Sequence, residues 1–461
     1  MNDLVGKLST IVNPARVSTE AALLDELSWD ALSEGRIHPH RRPELRVPLA
    51  AVRPISTDEV RGVVQFANRE KIALVPFGGG SGLMGGALSI QPSLVVDLRG
   101  MNRIHEIDTE SRFARVQAGV VLEALEQKLN EFGFILGHDP WTVPVATVGG
   151  AISTNSVGYR AGIYGSMGEQ VLGLQAVLPN GEILRTRAVS KHSAGIDLNA
   201  LLVGGEGCFG IITEATIRVF PRPAARFFCG YLFASFEQGY GAVQTMFHER
   251  LRPAMLDFGD DEDRHEPGAL LYLVFEGRPE LVEVEERLVG EICRGHGGKP
   301  VPRHEPEEFW HGRHEIARRF MRDRRQRRQR GRDGIYRDWI HVALPPSKVL
   351  AFRRAAQEVI ERRGVRLQES GLWVQPELFS MRLGAEEGER HNAQLALEDT
   401  VDELLRLTQQ MGGSMEYTHG VGVKLAPLMA EEHGYGLEVM RRLKGLLDPN
   451  QIMNPGKMGL V

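Results

Sequence analysis

The chain has 461 residues, 42% of them apolar and 25% charged, and a formal net charge of −5, so it can form two or more domains and its whole surface does not suit nucleic acid. Its three cysteines, Cys208, Cys229 and Cys293, are widely spaced, form neither a disulfide framework nor a zinc pattern, and suit a reducing compartment. With no apolar run of about 18 residues and no secretory pattern at the start, a cytoplasmic protein with at most peripheral membrane contact is expected.

Thr57-Asp-Glu59 opens a helix, with a capping hydroxyl followed by acids in the first turn, and Val60, Val63, Val64 and Ala67 form its apolar face. The apolar run Ile72 to Val75 reads as a strand and leads into Pro76-Phe-Gly-Gly-Gly-Ser-Gly-Leu-Met-Gly-Gly86. Such an uncharged, glycine-rich loop exposes backbone N–H groups that can approach a diphosphate. Gly80, Gly82 and Gly85 spell the dinucleotide fingerprint, but no helix follows before the strand Leu94 to Leu98, which argues against a nicotinamide site. A second helix carries Val121, Leu122, Leu125, Leu129 and Phe132 and stops at Gly133.

From Gly137 to Ile183 the text has little helical period; within it lies Thr147-Val-Gly-Gly-Ala-Ile-Ser-Thr-Asn-Ser156. A third glycine-rich piece, Gly204 to Gly210, precedes a strand from Ile211 to Val219, and Pro221 and Pro223 mark a domain boundary. Beyond it strands and helices alternate: a strand Phe228–Phe233, a helix from Phe236 to Glu249, a strand Leu270–Glu276, and a helix with Leu281, Val284, Leu288 and Ile292 on one face. A strand from Arg337 to Leu344, a helix after Ser347, a strand near Leu372 to Arg382 and a helix from Asn392 to Met411 follow. The pattern predicts a doubled βαβ-type layer, one sheet covered by helices.

Three glycine-rich segments in this order, closed by Leu447-Asp-Pro-Asn-Gln-Ile-Met-Asn-Pro-Gly-Lys457, resemble the FAD-linked oxidases and dehydrogenases of the vanillyl-alcohol oxidase type. Within that family the likeness is to glycolate/D-lactate dehydrogenase subunits and to alkyl-dihydroxyacetone-phosphate synthase. The resemblance implies an α+β fold: a two-subdomain, PCMH-type FAD-binding domain to residue 222, onto which residues 1–46 pack. A substrate cap of residues 223–425, an antiparallel sheet covered by helices, comes next, and a tail of residues 426–461 returns to the FAD domain.

By the same resemblance the first loop, Pro76, Phe77, Gly78, Gly79, Gly80, Ser81 and Gly82, cradles the FAD diphosphate. The second cofactor stretch corresponds to Trp141, Thr142, Ala146 and Thr147, then Gly149 and Gly150, with Thr154, Asn155 and Ser156 beyond. The third corresponds to Glu206, Gly207, Gly210 and Ile212, where Cys208-Phe209 replaces the usual Thr-Leu, and Asn454 joins from the tail. No histidine lies between Lys71 and Met101, so FAD is expected to be bound non-covalently at this loop.

Oxidation of an alcohol needs a base for the hydroxyl proton, and His419 in Met415-Glu-Tyr-Thr-His-Gly-Val-Gly422 suits that role on a loop after the long helix. The family has a histidine at the matching place. Arg337, Trp339 and His341 alternate with Ile340, Val342 and Leu344, so one face of that strand packs and the other can line a cavity, which makes His341 the next candidate. Trp373, Gln375 and Arg382 are weaker candidates. The hydroxy-acid dehydrogenases carry a histidine-rich metal segment where this chain reads Gly371 to Ser380 without histidine, so no metal is expected. The segment 318–332 holds nine arginines and one acid, Asp323; it reads as a solvated surface, but Arg322 resembles the synthase's substrate-anchoring arginine.

The expected activity is FAD-dependent oxidation of a small, anionic 2-hydroxy acid, glycolate- or D-lactate-like. The rival readings are a non-redox flavin transferase, an aromatic alcohol oxidase and a flavin subunit that only relays electrons. Partners consistent with the resemblance are the small-molecule substrate, an electron-acceptor protein or quinone, and a second copy in a homodimer.

Overall fold

The structure, a computed structural model, describes residues 2–262, 267–322, 334–388 and 392–460. Three sheets organise it. The first has four strands in the order Val17–Ser18, Ala50–Val52, Ser93–Asp97, Ala73–Phe77, the last three parallel. Parallel pairing requires a crossover, supplied by the helix Thr57–Glu70, which buries Val60, Val63, Val64 and Ala67. Its cap is Ser56, whose hydroxyl accepts from the Glu59 amide; the Thr57 hydroxyl, expected to cap, instead lies 3.1 Å from the Thr213 hydroxyl.

The second sheet is antiparallel and built around the strand Ile211–Pro221, flanked by Phe113–Gln117 and Val171–Val177, with Phe134–Leu136 at its far end. Two short helices, Val148–Thr154 and Ala161–Tyr164, lie where no helix was expected. The first is too short to show a period, yet Thr147 caps it and Val148 and Ile152 are fully buried.

The third sheet has seven strands in the order Lys299–Pro300, Ala225–Phe233, Ala269–Gly277, Met255–Asp261, Arg366–Trp373, Leu378–Glu386, Ile335–Ala343, every pair antiparallel. Each half is a strand, a helix, a hairpin and a second helix, with one hairpin strand inserted between two parallel strands; the βαβ units are therefore split. The halves meet where Gly259 faces Gly371. A Cβ on Gly259 would come 2.5 Å from the Ser370 carbonyl oxygen, so only glycine lets these strands close.

Two sequence expectations are corrected here. Leu372 to Arg382 is a hairpin of two strands, broken at Val374 with φ of +73°, so Trp373 and Arg382 sit on different strands and Gln375 in the turn. On the helix Pro279–Gly295 the buried residues are Val282, Val289, Gly290 and Cys293, whereas Leu281 and Val284 are exposed; two apolar stripes overlap in this sequence and packing selects the second.

The end of the chain runs back beside Ala73–Phe77: the Leu74 amide donates to Ile452 O at 2.7 Å and the Asn454 amide to Leu74 O at 2.8 Å. Before residue 46, Leu8 and Val12 pack with Val60 and Val64, while Arg36 reaches the third sheet and pairs with Asp338 at 2.5 Å. Among the described residues no helix is long and apolar enough to cross a membrane.

Lys444 fixes the returning tail. Its buried ammonium donates to Asp448 at 2.5 Å, Cys208 O at 2.8 Å and Met453 O at 2.7 Å. Lys444→Met leaves Asp448 buried without its cation, and a loss of about 3–5 kcal/mol is expected; chemical denaturation measures it, and an unchanged midpoint contradicts this assignment.

Candidate active site

The three glycine-rich turns converge. A Cβ on Gly78 would collide with the Thr147 hydroxyl, and one on Gly79 with the Val145 carbonyl oxygen. A Cβ on Gly207 would lie 2.9 Å from Pro76 Cγ, and the Glu206 amide donates to Ser153 O at 2.9 Å. Side chains at these glycines would hold the turns apart. Among the described residues, no protein acceptor meets the amides of Gly79, Gly80, Ser81 and Gly82. A short uncharged loop with four unspent donors fits a diphosphate, whose oxygens need such donors.

The other expected cofactor residues divide by what their polar groups already do. Gly149 donates its amide to Ala118 O at 2.8 Å and Gly150 to the Thr147 hydroxyl at 3.3 Å, so these glycines seat the short helix against its neighbours. Asn155, at φ of +48°, ends that helix and accepts from the Gly168 amide; the Thr154 hydroxyl bonds back to Gly150 O. The Ser156 hydroxyl sits 2.9 Å from His138 Nε2. Phe77 and Ile212 bury their side chains in core clusters, and Gly210 lies against Val177 O. Asn454 donates to Gly86 O at 2.9 Å and Glu206 O at 2.7 Å, tying the first turn to the third. Trp141 is 40% exposed and stands edge-on to Trp373 at 6.5 Å; the Thr142 carbonyl receives the Val145 and Ala146 amides.

His419 and His341, far apart in sequence, have ring centroids 4.6 Å apart. The strand Ile335–Ala343 buries Ile340 and Val342 and leaves Trp339 and His341 half-buried on the other face, as the alternation predicts. Glu416 folds under the His419 loop: its Oε1 accepts from the amides of Thr418 and His419 at 2.8 and 2.9 Å and lies 3.5 Å from His419 Nδ1. Burial opposes ionisation of Glu416, but the adjacent His419 holds its carboxyl below the ordinary range. Burial first, then His419, push the His341 imidazole down to about 3, so it is neutral at pH 7.

Sequence reasoning missed Glu416, Ser380 and Tyr417, and it placed Glu206 only among the cofactor residues. Glu206 turns its carboxylate away from its own loop to accept from the amides of Val421 at 2.5 Å and Gly422 at 2.9 Å, joining the third turn to the His419 loop. Burial pushes that carboxyl up to about 7. Ser380 and Tyr417 surround His341. Their only sequence signal was position: Ser380 on the adjoining strand, Tyr417 two residues before His419. Arg382 lies 3.5 Å from Asp261, and Trp373 packs on Tyr159. The Arg322 side chain and residues 323–333 lie outside the described residues. The base of the Arg322 helix is anchored through Asp139, which accepts from Arg313 at 2.9 Å and lies 3.0 Å from His314 Nε2. Among the described residues no group of three or more His, Cys, Asp or Glu side chains is placed to hold a metal.

Gly79→Ala is expected to purify with little or no flavin, because the first and second turns can no longer meet, while Gly445→Ala, with open space at its Cβ, stays yellow; flavin absorbance per protein is the measurement. A second expectation concerns pH. Burial pushes His138 down to about 4, against about 6.5 in an unfolded chain. Between those values only the unfolded chain takes the proton, so stability falls with falling pH by up to about 1.4 kcal/mol per unit. Denaturation of His138→Gln from pH 7 to 5 should show that much less slope.

Comparison with known proteins fits this geometry. A family model described as an FAD binding domain matches residues 48–187, and one described as the C-terminal domain of FAD linked oxidases matches residues 222–458. A D-lactate dehydrogenase of Archaeoglobus fulgidus is 31% identical, over 90% of this chain and 94% of its own. Solved structures of an alkyldihydroxyacetonephosphate synthase (TM-score 0.76, 21% identity, 99% of this chain and 84% of that one) and of p-cresol methylhydroxylase (TM-score 0.79, 19% identity, 99% and 96%) share the fold. The two matched segments together span most of the sequence, and the chain belongs to the FAD-linked oxidoreductases, with FAD as its cofactor.

Proposed function

We propose that this enzyme oxidises the hydroxyl-bearing carbon of a small 2-hydroxy acid of the D-lactate type. The single observation that supports this reading most is the pair of half-buried histidines with a carboxylate behind one of them. The name of the Archaeoglobus relative supports the substrate class. Pro76 to Gly82, with the turns at Thr147 and Gly207, would hold FAD by its diphosphate, and bound FAD supplies the two-electron acceptor.

The rest of the chemistry belongs to the protein. Glu416 faces His419 Nδ1 and favours the hydrogen there, which leaves Nε2 free to accept the substrate's hydroxyl proton. When His419 becomes cationic, the same carboxylate stabilises it. Glu416 itself is held by two backbone amides, so the loop cannot turn the base away without breaking both bonds. His341, neutral beside it, adds a second polar contact without adding charge. Arg322 is the proposed partner of the substrate carboxylate, through paired charge-assisted bonds.

Anaerobic mixing of the yellow protein with D-lactate, glycolate, other 2-hydroxy acids and aromatic alcohols tests this. Bleaching by a hydroxy acid is the expected result, with His419→Gln slower by roughly 10²–10⁴. Failure of the whole panel contradicts it and favours a non-redox transferase; bleaching by aromatic alcohols alone moves the substrate class.

A further inference from the structure

His341 and Ser380 are direct partners across an antiparallel pair of strands, so their side chains share one face. Ser380 Oγ lies 2.8 Å from His341 Nδ1 and 2.9 Å from the Tyr417 hydroxyl. Tyr417 is also fixed from behind, its amide donating to His341 O at 3.2 Å. On the other flank of Ser380 the strand partner is Gly371, which has no side chain to compete for the hydroxyl.

Either direction of this chain bonds two hydrogens and leaves one over, so the place of the spare hydrogen decides between them. A phenol, a serine hydroxyl and a neutral imidazole each bring one hydrogen. If Tyr417 donates to Ser380 and Ser380 to His341 Nδ1, both hydroxyl hydrogens are bonded, and the spare imidazole hydrogen falls on Nε2, which is not among the buried unpartnered atoms and so stays available to a substrate. In the reverse order His341 Nδ1–H donates to Ser380 and Ser380 to Tyr417, and among the described residues the phenol hydrogen then meets no acceptor. Burial pushes the Tyr417 phenol well above its ordinary range, so it keeps its hydrogen.

We propose that Ser380, relayed from Tyr417, is a positioning residue that holds His341 as the Nε2–H tautomer, so that His341 donates a hydrogen bond to the substrate while its neighbour His419 accepts the proton. The two imidazoles thereby present opposite polarity: the Glu416 carboxylate, 3.5 Å from His419 Nδ1, favours the hydrogen of His419 on that side, and Ser380 holds that of His341 at Nε2. The substrate-facing role rests on the functional reading above; the tautomer does not.

The test uses FAD-bound protein labelled with ¹⁵N-histidine, the His341 signals being those lost in His341→Gln. In the unaltered protein His341 Nδ1 should give the shift of an unprotonated, pyridine-type nitrogen and Nε2 that of a pyrrole-type N–H. Ser380→Ala should mix or reverse the two and slow flavin bleaching by D-lactate on the order of tenfold or more. Ser380→Thr should restore both, and Tyr417→Phe should shift the nitrogens in the direction of Ser380→Ala. A protonated Nδ1 in the unaltered protein, or nitrogen shifts untouched by Ser380→Ala, overturns the proposal. If no hydroxy acid bleaches the flavin, the functional reading fails and the nitrogen shifts still decide the polarity of His341.

Discussion

Backbone packed against backbone, where Gly78 and Gly79 meet Val145 to Thr147 and Gly207 meets Pro76, is the constraint on which the site rests. Any side chain at these positions would hold the turns apart, and the four unspent amides of Gly79 to Gly82 would lose the setting that makes them a diphosphate cradle. The cost of such a loop is conformational freedom lost on folding. It is offset by what surrounds it: the parallel strands beneath, the Thr147-capped helix beside it, and the tail bonded to Leu74 and fixed through Lys444.

The glycine turns and the His419 loop are mechanically continuous. Glu206 leaves the third turn and takes the amides of Val421 and Gly422, while Asn454 binds carbonyls of the first and third turns. The His419 loop is thus anchored to the same structure that would carry FAD. From the other side, buried Asp338, on the His341 strand, pairs with Arg36 and with Lys424 five residues after His419. A carboxylate buried with two cations makes the relative placement of strand and loop expensive to change.

Much of this was legible in the sequence because it depends on local rules. The helix Thr57–Glu70, the alternation along Ile335–Ala343 and the glycine turns each follow from period or from absent side chains. What escaped depends on contacts between distant segments. The helix Val148–Thr154 exists because Gly149 can lie against Ala118, and the split hairpin because Val374 adopts a left-handed turn. Which stripe of Pro279–Gly295 faces inward was decided by the sheet beneath it, and neither pattern announced the winner. Ser380 and Glu416 carry no motif; their roles come only from the partners that the fold brings to them.

The central claim is that unspent amides at Gly79 to Gly82 recognise a diphosphate. The most direct measurement is a fluorescence titration of flavin-free protein with FAD and, separately, with FMN, which carries the same ring but one phosphate and no adenylate. FAD should bind at least about a hundredfold more tightly, since charge-assisted bonds to several amides are at stake. Equal affinity for the two flavins would contradict the claim.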